Sequence, residues 1–162
     1  MNGMNAEKQD FLRDKLVSLL RQIPSETKPL WGKMTLQQMV EHYTESVRIA
    51  SGRAGVNDVV TPVEQIPRYQ DFLMSDKPFR ENTVNPTLPE VPAPVRNKST
   101  EDALKELSEE LLHFFSVFEA NNHLVTINPV FGELNFQMNV QLLHKHALHH
   151  LRQFGITPEK AA

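Results

Sequence analysis

The sequence contains no cysteine. That absence removes disulfide frameworks, thiolate metal sites and thiol nucleophiles together, so any metal must be held by nitrogen and oxygen ligands. It also agrees with a reducing compartment. No stretch approaches the roughly 20 apolar residues of a membrane span. The opening MNGMNAEKQDFLRDK carries charge where a secretory signal needs an apolar run, so the expected location is cytoplasmic, with no membrane partner. There is no basic run either. The 17 Lys and Arg are interspersed with 20 Asp and Glu for a formal net charge of −3, and no aromatic–basic pattern tracks a phosphate backbone. Nucleic acid is therefore not an expected partner. Internal repeats are also absent.

What is present is one domain's worth of chain. The 162 residues, 40% of them hydrophobic, can enclose one core without disulfides, so 1–162 reads as a single domain. Phe11, Leu12, Leu16, Leu19, Leu20 and Ile23 recur at three- and four-residue steps and predict a helix over about 6–23, ended by Pro24. Thr35 is the expected N-cap of a second helix over about 36–51, carrying Leu36, Met39, Val40, Tyr43, Val47 and Ala50, with Gly52 as its stop. Residues 53–98 then hold prolines at 62, 67, 78, 86, 89, 92 and 94 and show no sustained periodicity. A connection of that length is either a linker or a functional crossover. Its apolar content, from Val59 to Phe79, favours a crossover packed on the bundle, with a short helix near 67–74.

Ser99, followed by Asp102 in capping-box spacing, opens a third helix over about 100–121 through Leu104, Leu107, Leu111, Phe114, Phe115 and Phe118. HLVTINPVFGEL reads as a loop with a short extended piece at 124–127. A fourth helix over about 135–154 follows, closed by Gly155 and Pro158. The expected fold is all-α, a four-helix bundle with one long crossover between the second and third helices.

The compositional excess is in histidine, seven in all, clustered in HKHALHH. At about 100° per residue, Phe136, Val140, Leu143, Ala147, Leu151 and Phe154 form the buried stripe of the fourth helix. His146 and His150 fall beside that stripe, one turn apart, in the same row as Asn139. Such an i, i+4 pair, with Cβ atoms about 6 Å apart, can converge on one ion. Two imidazoles alone bind weakly, and His42 is the only other histidine inside a helix bordering an apolar face. His149 points about 100° away from His150, His144 lies on the opposite rim, and His113 is expected in solvent. A histidine at a stripe's edge is equally a hydrogen-bonded boundary residue, and spacing alone leaves both readings open. HALHH lacks the Glu of H-E-x-x-H, which excludes a zincin peptidase.

Three further residues are candidates for the pocket. Asn139 either hydrogen-bonds a ligand or is a polar boundary residue. Tyr43 lies in the core arc and reads as packing. Trp31 either lines the pocket mouth or staples the turn between the first two helices. Glu41 and Glu45 fall on the solvent side of the second helix, so no general base is assigned.

PLWGKMTLQQMVEHYTESVRIASG, SDKPFRENT and NPVFGELNFQMNVQLLHKHALHHLRQFG together resemble a DinB-like branch of the DinB/YfiT-like metalloenzyme superfamily, over almost the whole chain. The resemblance implies a four-helix bundle in an up-down-down-up arrangement, with a divalent metal on His42, His146 and His150. Many relatives follow the histidine pair with Arg-Gly-Gln. Here Leu151, Arg152 and Gln153 follow His150, so the Gln matches while the adjacent Arg and Gly do not, and no role of that Arg is carried over.

Three neutral imidazoles leave the ion's charge uncompensated and a coordination position open, as in catalytic zinc sites. The expected function is therefore a metal-dependent enzyme, of hydrolase or thiol-dependent transferase type. Its expected partner is a small-molecule substrate such as a thiol adduct, because the resembled relatives include thiol-cofactor-dependent enzymes. The alternative is a non-catalytic metal-binding protein, a sensor or carrier, on the same bundle. Zinc or nickel is the expected ion, with iron, cobalt and copper also suited to three imidazoles. A homodimer is compatible with the sequence.

Overall fold

In the computed structural model the chain opens with a helical run of three pieces, α1 (Gly3–Asp10), a π-helical turn (Phe11–Lys15) and α2 (Leu16–Arg21). The structure describes residues 3–82, 85 and 87–157; Thr83 of SDKPFRENT, Pro86 and the Pro158 expected beyond the last helix lie outside these. The first helix is thus found, beginning earlier than expected and interrupted by a wider turn. In an unbroken α-helix Phe11 and Leu16 would stand about 140° apart. The Leu16 N–H instead bonds to the Phe11 carbonyl five residues back. The extra residue in that turn shifts the phase, so that Phe11, Leu12, Leu16 and Leu20 all enter the core.

The next helix, α3 (Leu36–Ser51), starts at a full capping box. The Gln38 N–H donates to Thr35 Oγ1 at 3.1 Å and the Thr35 N–H donates to Gln38 Oε1 at 2.9 Å. Gly52, at φ 83°, ends it in the left-handed region. Ser99 caps α5 (Thr100–Ala120) by accepting from the Asp102 N–H, and Asn135 caps α6 (Phe136–Gln153) by accepting from the Met138 N–H. α3 packs most extensively on α5, while α6 lies against α1, α3 and the crossover helix. The inward faces of the π-helical turn, α2, α3, α5 and α6 share one hydrophobic core.

The crossover carries a 3-10 turn (Val63–Gln65) and α4 (Ile66–Met74). Pro67 sits in the first turn of α4, where its missing N–H has no helical partner to lose. Leu73 from α4 joins Phe131, Leu134 and Leu142 in a second, smaller core. The crossover is therefore packed on the helices, as its apolar content predicts.

HLVTINPVFGEL is more ordered than the expected loop. Its strands β1 (Thr126–Asn128) and β2 (Gly132–Leu134) pair antiparallel, with Thr126 opposite Leu134 and Asn128 opposite Gly132. Asn128 Oδ1 accepts from the N–H groups of Val130 and Phe131, and Gly132 takes φ 75°. The extended piece expected at 124–127 overlaps β1, whereas β2 left no signal, because a strand of three residues is too short to display a period of two. The fold is mostly helical with this small sheet added. No described helix is long and apolar enough to cross a membrane.

Candidate metal centre

α3 and α6 bring three imidazoles to one point. His42 Nε2 lies 3.2 Å from His146 Nε2, which lies 2.8 Å from His150 Nε2. One ligand atom from each of the three lies within 4.8 Å of the others. Tetrahedral zinc with imidazole bonds of about 2.0–2.1 Å places its nitrogens roughly 3.3 Å apart. The His42–His146 and His146–His150 spacings lie within about half an ångström of that, so an adjustment of the rings fits a first-row divalent ion. No carboxylate joins the group among the described residues.

Gln153 sets the orientation of His150. Its Nε2 donates to the Trp31 carbonyl at 2.9 Å, which turns its Oε1 toward His150 Nδ1 at 2.7 Å. The amide oxygen can only accept, so the His150 proton belongs on Nδ1 and the Nε2 lone pair faces the other two rings. Two imidazole lone pairs cannot face each other at 2.8 Å without a proton or a cation between them. This is the arrangement in which a partner fixes a metal-binding histidine's tautomer through its second nitrogen.

Burial, and secondarily the proximity of His149, lowers the His42 pKa to about 4. Burial first, then the neighbouring rings, holds His146 well below its ordinary value. His150 is likewise held well below, by burial first and then by His42. All three are therefore neutral near pH 7, the protonation state in which imidazole is a ligand. His150 is buried, whereas His42 and His146 keep partial access to solvent, so the centre is approached from their side.

A segment of the crossover lies across this approach. On α6, Gln141, Lys145 and His149 form an i, i+4, i+8 row beside the row of His146 and His150. Gln141 Nε2 donates to the Ser75 carbonyl at 3.2 Å, Lys145 Nζ to the carbonyls of Ser75 and Lys77, and the His149 ring to the Phe79 carbonyl. Residues 75–79 are thereby held as a strap along α6. The Phe79 ring sits edge-on to His146 at 6.4 Å and to His149 at 6.0 Å.

The remaining candidates separate clearly. Asn139 is buried and its amide donates to Thr126 Oγ1 and to the carbonyls of Leu134 and Asn135, so it anchors the hairpin and takes no part in the centre. Tyr43 is buried, with its hydroxyl committed to the Leu143 carbonyl at 2.7 Å and its ring against His146. Trp31 braces the rim, its carbonyl holding Gln153 and its ring 5.4 Å from His149. His149 lies next to the three histidines without joining them. His144 packs on Phe11, away from the centre. His113 is partly buried rather than fully in solvent.

Glu41 corrects the expectation from helix phase. It is only 6% exposed, because the end of the crossover closes over it. Its carboxylate accepts from the N–H groups of Arg96 and Asn97, from Asn97 Nδ2 and from Gln37. Burial pushes its pKa up, but these bonds more than offset that and leave it below the usual range. Such a saturated carboxylate holds the crossover and is not free to act as a base. Glu45 is exposed as expected and pairs with Arg48.

Sequence reasoning missed the roles of Gln153, Gln141 and Lys145. Gln153 stands three residues after His150, a spacing that puts both on one face of the helix. Replacing it by leucine, Gln153→Leu, is expected to weaken divalent-metal affinity by about 10–100-fold, measured by competition with a chelator. An unchanged affinity would show that the His150 orientation is set by packing alone.

No family model matches the chain. No curated protein matches it either.

Proposed function

We propose that the chain is a metal-dependent enzyme, of hydrolase or thiol-dependent transferase type, built on a DinB-like four-helix bundle. The observation that carries this reading is the convergence of three Nε2 atoms, from His42, His146 and His150, with no carboxylate among the described ligands. The helical run α1–α2 with α3, α5 and α6 supplies the four bundle elements, and the crossover between α3 and α5 agrees with an up-down-down-up arrangement. Zinc or nickel suits the three-imidazole set best.

When bound, the ion would supply Lewis-acid polarisation of a carbonyl or activation of a thiolate substrate. The chain's own residues do the rest. His42 ties the centre to α3, while Gln153 presents the His150 lone pair. Phe79 and Trp31 narrow the approach and limit water at its rim. No side chain is assigned as the general base, since Glu41 is engaged with the crossover.

A metal-binding protein without turnover is the second reading. It is favoured by the placement of the three histidines on two different helices, His42 on α3 and the pair on α6, which an ion would tie together. In that case the ion chiefly joins α3 to α6.

Elemental analysis of protein purified without a histidine tag, followed by a screen against ester and thiol-adduct substrates, separates the two. Stoichiometric divalent metal with turnover that disappears on chelation supports the enzyme. Stoichiometric metal without turnover supports the carrier or sensor. Protein that takes up no divalent ion on reconstitution overturns both.

A further inference from the structure

A separate feature occupies the outer side of the strap. There α1, α6 and residues 75–78 enclose a cavity of about 200 Å³. Its wall carries four cationic side chains, Lys8, Lys77, Lys145 and Arg152, against one carboxylate, Asp76. This concentration of positive charge stands in a chain whose formal net charge is −3. Like charges gathered in a recess with low-dielectric walls repel one another and raise the local concentration of anions.

Hydrogen bonding leaves the charge of Lys145 and Lys8 in place. Lys145 is 6% exposed and gives two of its three donors to the carbonyls of Ser75 and Lys77, which satisfies them without cancelling the charge. Lys8 gives one donor to Gln141 Oε1 at 2.6 Å and keeps two. Neither lysine is in an ion pair among the described residues. The recess therefore holds unused ammonium donors from Lys8 on α1 and the uncancelled charge of Lys145 on α6, whose Nζ also lies 4.8 Å over the Phe72 ring, and it is smaller than the about 300–1,000 Å³ typical of drug-sized ligands.

We propose that this cavity binds a small phosphate-bearing anion, held by Lys8, Lys145 and Lys77. Lysine meets phosphate as a point charge, and several lysines around one recess suit its spherical charge better than the planar charge of a carboxylate. The site is distinct from the histidine centre and does not depend on that centre holding a metal.

The test is calorimetric titration of the full chain with inorganic phosphate, and in a second arm with a simple alkyl phosphate monoester, at ionic strength held constant with chloride. Saturable one-site binding in either arm is expected, and the tighter arm identifies free ion or phosphorylated small molecule as the source. Lys8→Met, which removes a charge and the bond to Gln141 while leaving the Lys145 bonds to the strap in place, is expected to weaken binding about tenfold, and Lys105→Met on the exposed face of α5 to leave it unchanged. Heats that saturate in neither arm, or equal affinity in native protein and Lys8→Met with circular dichroism unaltered, would overturn the proposal.

Discussion

Alanine at His146 or at His150 is expected to reduce bound divalent metal to near zero after dialysis, and alanine at His149 to leave it unchanged. Each of the first two substitutions removes one of only three nitrogens that converge, and the remaining pair is a weak chelate. His42→Ala should do the same from the other helix, although it leaves the i, i+4 pair on α6 intact. His149 is the informative control, because it sits beside His150 but directs its hydrogen bond to the Phe79 carbonyl. A metal present at a thousand times its dissociation constant stabilises the folded chain by about 4 kcal/mol. The rise in melting temperature on adding metal should therefore vanish in the three ligand variants and persist in His149→Ala. Equal loss of metal in all four would mean that HKHALHH binds as an unspecific cluster, and the centre described above would be wrong.

The metal-free protein should lose stability steeply as the pH falls from about 6.5 toward 4. In the folded chain the His42 pKa is lowered from 6.5 to about 4, while in the unfolded chain it returns to its ordinary value. Between those two values the unfolded state binds a proton that the folded state refuses, so stability rises with pH across the window. The contribution is fully present above about pH 6.5 and is lost as the pH drops to the folded value. A difference of about 2.5 units amounts to about 3 kcal/mol for His42 alone. His146 and His150 act in the same direction. Urea melts at about pH 7 and about pH 4.5 measure the slope, and His42→Gln, which has no titrating group at that position, should flatten it. A native protein with the same stability at both values would show that the three rings are solvated, contrary to their burial.

The helices and their stops were legible because their signals are local. Thr35, Ser99 and Gly52 act within one turn of their own positions, and the apolar steps of α3, α5 and α6 read directly as faces. The relation between His146, His150 and His149 was legible for the same reason, since a helix fixes relative direction by counting residues. Pairing with His42 needed two helices to meet, and spacing within either helix cannot show that.

The π-turn at Phe11–Lys15 was hidden because its cause is the fit of Phe11 and Leu16 to a shared core, not a residue type. Glu41 was misplaced because helix phase knows only its own helix, whereas its partners, Arg96 and Asn97, return from 55 residues away or more. The strap was invisible for a more general reason. Its acceptors are the carbonyls of Ser75, Lys77 and Phe79, and every residue in a chain has a carbonyl.

That anonymity of the acceptors bears on how the protein can diversify. The path of residues 75–79 is dictated by Gln141, Lys145 and His149, while the strap's own contribution to those bonds is backbone that survives most changes of side chain. Substitutions at Asp76, Lys77 or Phe79 can therefore accumulate without unfastening the segment, and each would alter the surface shown to whatever approaches the histidines or the outer recess. A wall whose position is conserved by its neighbour and whose chemistry is free to drift is a ready substrate for selection, natural or in the laboratory, and a library confined to those three positions would sample new specificities on an unchanged scaffold.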